Sequence, residues 1–113
     1  IPEGMRLLPE SAAEELLTEM DEWLEDVKPL TSFILPTGSP PIAQLHMARV
    51  ITRRAERCLA ALVDAKGGEA VRPFTLVYVN RLSDWFFVLA RWVCATIGET
   101  ETLWEPIGRR VPE

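Results

Sequence analysis

Arg49 and Arg53 stand one helical turn apart and Glu56 follows Arg53 by three residues, a spacing that puts all three side chains on one face of a helix. Arg57 extends that face and Arg54 lies toward its flank. Each guanidinium is a rigid fork of donors, a geometry that matches phosphate oxygens or carboxylates. Glu56 can align an arginine or approach a phosphate-bound magnesium ion. The same spacing also suits a solvated helix edge, where exposed Arg–Glu pairs contribute a few tenths of a kcal/mol each. Charge narrows the anion. The chain carries a formal net charge of -5, and the stretch 10–26 holds eight carboxylates and no basic residue. Such a chain repels a long nucleic-acid backbone, so the cluster points to a small polyanion or a carboxylate on a neighbouring surface, and not to nucleic acid.

A second strip comes later. Asn80, Asp84, Phe87 and Arg91 are offset by four, seven and eleven residues, broadly one helical face. Asn80 suits a ribose or a phosphate, Asp84 can orient Arg81 or Arg91 or simply pair with them, and Phe87 fits a core or a pocket. His46 has no second ligand at metal spacing and reads as a polar boundary residue. Cys58 and Cys94 read as two buried free thiols. No Ser/His/carboxylate arrangement, two-cysteine metal motif or glycine-rich phosphate loop is visible. Spacing alone leaves a binding module, an oligomeric scaffold and a transferase open.

The elements that must position these residues are helical. Residues 1–9 read as an irregular lead-in, and Ser11 followed by Glu14 predicts a capping box. Leu16, Leu17, Met20, Trp23, Leu24 and Val27 then recur at helical spacing until Lys28-Pro29 stops the helix. Three prolines and a glycine make residues 30–41 an ordered loop. Its Phe33-Ile34-Leu35 run needs cover, since exposing it forfeits about 1.5 to 3 kcal/mol per large side chain. A second helix is predicted over 42–65, with Leu45, Ala48, Ile51, Ala55, Leu59 and Leu62 as its core stripe and Lys66-Gly67-Gly68 as its end. A third spans 73–97, lined by Val79, Leu82, Phe86, Leu89, Val93 and Ile97, although residues 74–79 alone have strand propensity. Trp104 and Pro106 suggest a short turn or helix before a frayed end.

The fold class that follows is all-α, a single antiparallel helix bundle over 1–113. At 113 residues its core is one that a partner subunit would usefully extend. Arg81, Asp84 and Arg91 interrupt the longest apolar run, so no membrane span is expected, and no targeting pattern is visible. The expected location is cytoplasmic.

Phe33-Ile34-Leu35-Pro36-Thr37-Gly38, followed by His46-Met47-Ala48-Arg49, Arg53-Arg54-Ala55-Glu56-Arg57 and Asn80-Arg81-Leu82-Ser83-Asp84, resembles the PduO-type ATP:cob(I)alamin adenosyltransferase family. Separate loop and helix motifs recur in the right order, over most of this chain and over the C-terminal portion of the family fold. The resemblance implies a homotrimer of helical bundles that binds ATP and the corrin at subunit interfaces. It places Arg53, Arg54, Glu56, Arg57 and Asn80 on the ATP side, with Asp84 among the binding residues and Glu56 also near magnesium and the triphosphate. Arg49 and Arg53 are the implied catalytic pair, Arg49 being an interfacial arginine that pairs with an acidic residue of the N-terminal part. Phe33 and Phe87 flank the lower face of the corrin. The implied reaction moves the 5'-deoxyadenosyl group from ATP to cob(I)alamin and releases triphosphate, with cobalt as nucleophile and no catalytic serine or cysteine. An apolar Phe33 would exclude a lower axial ligand and ease reduction to Co(I).

The departures from the family pattern are the N-terminal glycine- and threonine-rich ATP segment, which these residues do not include, Thr37 where glycine is common, and Trp85 where a smaller aliphatic is common. The expectation is an adenosyltransferase framework whose independent activity depends on that upstream segment. A non-enzymatic cobalamin- or nucleotide-binding relative comes next, then a helical scaffold.

Overall fold

The computed structural model describes residues 7–30, 33–67 and 71–104. Three helices account for most of them: α1 (Ser11–Leu24), α2 (Pro40–Lys66) and α3 (Pro73–Thr96). The all-α reading holds, and residues 74–79 are helical despite their strand propensity.

Helix ends follow local chemistry, with one correction. Ser11 is not an N-cap: Glu10 holds that position in a helical conformation and makes no side-chain cap. The chain already turns at Pro9, whose carbonyl accepts the Ala12 N–H at 3.0 Å, so Ser11 lacks the extended backbone that a capping box requires. Prolines at the first positions of α2 and α3 forfeit only N–H groups that have no partner there. Gly67 ends α2 at φ +80, a conformation that costs other residues a Cβ clash.

α3 is the central helix. α1 and α2 each pack on it and, among the described residues, do not pack on one another. α2 runs antiparallel to α3, as Arg49 against Phe87 and Glu56 against Asn80 record. α1 runs alongside α3 in the same direction: Arg72 donates to the Leu8 carbonyl at one end, and Trp92 donates to Asp26 at the other. Between them Trp23 lies 5.3 Å from Trp85 and 6.1 Å from Trp92, so the unexpected bulk of Trp85 is what α1 packs against.

The chain does not turn or coil into a helix at Trp104 as expected; it is extended there and pairs back on the 30–41 loop. Ile34 and Leu103 form an antiparallel bridge. Leu35 N–H donates to the Thr102 carbonyl at 2.8 Å and Trp104 N–H to the Phe33 carbonyl at 2.7 Å. Pairing outweighs local turn propensity because each bridge satisfies backbone groups that a loop over apolar side chains would leave dry. Pro106, Gly68 and the expected frayed end lie outside the described residues.

The burial is thin. Ala13, Leu16, Met20, Ile42, Val88, Ala90 and Cys94 form the core, and no large side chain among the described residues is fully buried. The radius of gyration is 17.4 Å, against about 13 Å for a compact chain of this length. No helix among the described residues is long and apolar enough to cross a membrane.

Candidate functional site

The decisive local feature is which face α2 turns toward α3. Ile42, Leu45, Arg49, Thr52, Glu56, Leu59 and Val63, spaced alternately by three and four, are all buried or half-buried. This seven-residue repeat is the geometry of a seam between two helices. It coincides only in part with the apolar stripe read from the sequence: Leu45 and Leu59 lie on it and Ala48 is half-buried, whereas Ile51 and Leu62 are 59% and 40% exposed, and Ala55 is exposed too. The seam admits charged groups because each finds a partner. The Arg49 guanidinium lies 4.8 Å from the Phe87 ring centroid, a cation–π contact. Thr52 Oγ1 returns its proton to the Ala48 carbonyl at 2.7 Å. Glu56 Oε2 accepts from Asn80 Nδ2 at 2.7 Å, across to α3.

Electrostatics agree with this seat for Arg49. Partial burial pushes its guanidinium below the usual arginine value, Arg53 pushes the same way, and the nearby Asp84 carboxylate opposes both. Asp84 therefore acts on Arg49, and Arg91, one of its two expected partners beside Arg81, is engaged elsewhere. Arg91 is buried and donates through Nε to Glu101 at 3.0 Å and through Nη2 to the Lys28 carbonyl at 2.7 Å. That is the one ion pair among the described residues, so the Arg–Glu pairs of a solvated α2 edge do not form.

Arg53, Arg54 and Arg57 are exposed. Arg53 lies beside the seam, while Arg54, one residue on, is turned about 100° round the helix. Phe33 is 77% exposed and stands before the first turn of α2, edge-on to Trp104 at 6.1 Å. Arg53 enters 13 residues into that helix, roughly 20 Å along its axis. Two groups result: Arg49, Arg53, Glu56, Asn80, Asp84 and Phe87 at the α2–α3 seam, and Phe33 with Trp104 at the loop. They do not meet in one enclosed pocket. A cavity of about 470 Å³ lies instead among Lys28, Arg91, Glu99, Glu101 and Leu103, and of the residues singled out in the sequence only Arg91 lines it.

Two further sequence readings change. His46 is buried, not at a boundary, and burial pushes its imidazole down, helped by Arg49 and opposed by Glu101. Cys58 is exposed; only Cys94 is buried, and burial pushes that thiol up. Among the described residues no group of three His, Cys, Asp or Glu could hold a metal ion.

Residues 3–93 match the family model described as cobalamin adenosyltransferase. The chain belongs to that family. A cobalamin adenosyltransferase of Cupriavidus metallidurans is 42% identical over 93 residues, covering 79% of this chain and 49% of the relative. A corrinoid adenosyltransferase of Bacillus subtilis is 44% identical over 91 residues, 80% of this chain and 46% of the relative. The chain thus spans about half the length of the curated relatives it matches. A solved variant of the PduO-type ATP:corrinoid adenosyltransferase of Lactobacillus reuteri, complexed with cobalamin and ATP, superposes with a TM-score of 0.82 at 31% identity. It covers 89% of this chain and 54% of that one.

Periodicity missed the seam because a hydrophobic stripe and a partnered polar seam both repeat with helical spacing. Glu99 and Glu101 were missed as well, although two acidic residues directly after the Gly98 stop were a legible sign of a segment held by cations or N–H groups.

Proposed function

We propose that this chain is part of an ATP:cob(I)alamin adenosyltransferase that works as a homotrimer with its sites between subunits. The observation that carries the reading is the α2–α3 seam, where a member of this family holds Arg49 on Phe87 and Glu56 on Asn80 at fixed register. The Lactobacillus reuteri neighbour, complexed with cobalamin and ATP, supports the choice of substrates. The outer face of α2 supports the assembly. Met47, Val50 and Ile51 are 59%, 52% and 59% exposed and continue at helical spacing into Arg54 and Cys58, an apolar stripe of the kind that a second copy covers.

In this reading cobalt of cob(I)alamin attacks C5' of ATP; the Co–C bond forms as the C5'–O bond breaks, and triphosphate leaves with the electron pair. Arg53, Arg54 and Arg57, free to face a ligand, offset the charge that grows on the leaving triphosphate. Arg49 is held by Phe87 and Asp84 and meets an acidic residue of a neighbouring subunit. Asn80 fixes Glu56, the carboxylate of the seam that follows Arg53 by three residues. That fits magnesium, which is usually held by one or two carboxylates together with phosphate oxygens and water, and here Glu56 would be its protein ligand. Phe33 and Phe87 take the apolar lower face of the corrin, where Phe33 excludes an axial ligand from cobalt. The cytoplasm, where ATP is at hand, is the setting this reaction needs.

The test uses the full-length protein, anaerobic cob(I)alamin and ATP, reading adenosylcobalamin by absorbance and triphosphate by chromatography. Stoichiometric appearance of both is expected. Tight binding of ATP and cobalamin without either product would replace the enzyme by a non-enzymatic binding relative, and no binding of either by a scaffold.

A further inference from the structure

The loop that carries Phe33 is fastened by a segment lying beyond the family match, which ends at residue 93. Residues 99–104 run back across the loop in three ties. The first is the backbone pairing at Ile34 and Leu103, closed on either side by Leu35 N–H to the Thr102 carbonyl and Trp104 N–H to the Phe33 carbonyl. The second is the Glu99 carboxylate, which accepts the Ser39 N–H at 3.0 Å on one oxygen and the Ser39 hydroxyl at 2.8 Å on the other. The third anchors the segment itself: Arg91 of α3, buried, holds Glu101 and at the same time the Lys28 carbonyl at the start of the loop.

Ser39 is the N-cap of α2, with the extended backbone that the position requires, yet it makes no side-chain cap to its own helix. Its hydroxyl is spent on Glu99. Negative charge beside the first turn of α2 is supplied by a residue 60 positions away along the chain. One carboxylate therefore sets the start of α2 and the end of the Phe33 loop together. Glu99 touches neither Phe33 nor the arginines, so any effect on chemistry is exerted through position.

We propose that Glu99 is a positioning residue for the lower face of the corrin site: by holding Ser39 it fixes where Phe33 stands relative to α2. This rests on the adenosyltransferase reading above. A loop freed at Ser39 lets Phe33 drift and readmits a lower ligand to cobalt, while the phosphate-facing arginines, four to five turns away along a continuous helix, keep their places.

The experiment uses the full-length protein with cob(II)alamin, whose absorption spectrum reports axial ligation, and steady-state kinetics with ATP. Glu99→Ala should shift the spectrum of bound cob(II)alamin toward that of the free form and lower kcat about tenfold, with KM for ATP within about twofold. Glu99→Gln, which keeps an acceptor oxygen for Ser39, should recover most of both. A folded Glu99→Ala protein with the wild-type spectrum and kcat overturns the proposal, as does a rise in KM for ATP that matches the loss in kcat. If Glu99→Ala does not fold, Ser39→Ala, which removes one hydroxyl, decides: the same spectral shift supports the proposal and an unchanged spectrum overturns it. A wild-type protein that forms no product sinks the adenosyltransferase reading and this inference with it, whereas an active wild type beside an unchanged Glu99→Ala sinks the inference alone.

Discussion

Arg53 and His46 lie seven residues apart on α2 and face opposite demands. Arg53 is exposed and, in the proposed mechanism, meets the triphosphate; Arg53→Ala should lower kcat/KM for ATP about a hundredfold while leaving the oligomeric mass unchanged. Unaltered kinetics across an ATP titration would remove Arg53 from the site. His46 is buried, and burial holds its imidazole below the ordinary value of 6.5. As pH falls below that value the unfolded chain takes up a proton that the folded chain refuses. The contribution of neutral His46 is thus complete above about 6.5 and is lost as pH falls toward the lowered folded value. Thermal melts at pH 7.5 and 5.5 should show a smaller acid loss for His46→Gln than for the wild type, even if Gln lowers stability at both. Residue types were the most legible part of the sequence: arginines, a glutamate and an asparagine at helical spacing suggested an anion site, and Arg49, Glu56 and Asn80 do come together at one seam. Their partners were not, because nothing local tells Arg49 that Phe87 will lie beneath it from 38 residues away.

At the scale of elements, helix existence was legible, and so was the extent of α2 and α3, because prolines, glycines and a 3.6-residue pattern are local signals; α1 instead ends at Leu24, ahead of the expected Lys28-Pro29 stop, and the facing of α2 was not legible. A face is chosen by what lies opposite, and the choice here goes to a seam with Arg49 and Glu56 in it. The loop before α2 is equally non-local, held by residues 99–104. Gly38 is its one position that admits no side chain. Its φ is +153, and an added Cβ would lie 2.8 Å from Ile42 Cγ2, on a residue only 2% exposed that has little room to yield. Gly38→Ala should cost about 1 to 3 kcal/mol by combining strain and overpacking, measured as a lower urea midpoint with an unchanged slope. A midpoint equal to the wild type would show that the loop can move away from Ile42.

The whole molecule is open for its length, and an exposed apolar stripe lies on α2 beside the arginines. In the proposed trimer that stripe is covered. Ile51→Glu should therefore reduce the mass seen in light scattering toward a monomer and remove activity, with helix content retained because Ile51 makes little contact within the chain. A trimer of undiminished mass would place the interface elsewhere. The sequence signalled an incomplete core through chain length, yet it pointed Ile51 and Leu62 of α2 inward, since an exposed apolar position has the same residue types as a core position.

Among the described residues α1 packs on no helix but α3, and α2 on no helix but α3. A helix attached through one neighbour can detach without asking the other. Amide exchange in α1, whose grip rests on Trp23 between Trp85 and Trp92, should thus follow an opening of lower free energy than exchange in the α2–α3 seam. The two surfaces of α3 then divide labour in time as well as in space, one slow and rigid beneath the arginines, the other able to open and close many times within a single global unfolding event.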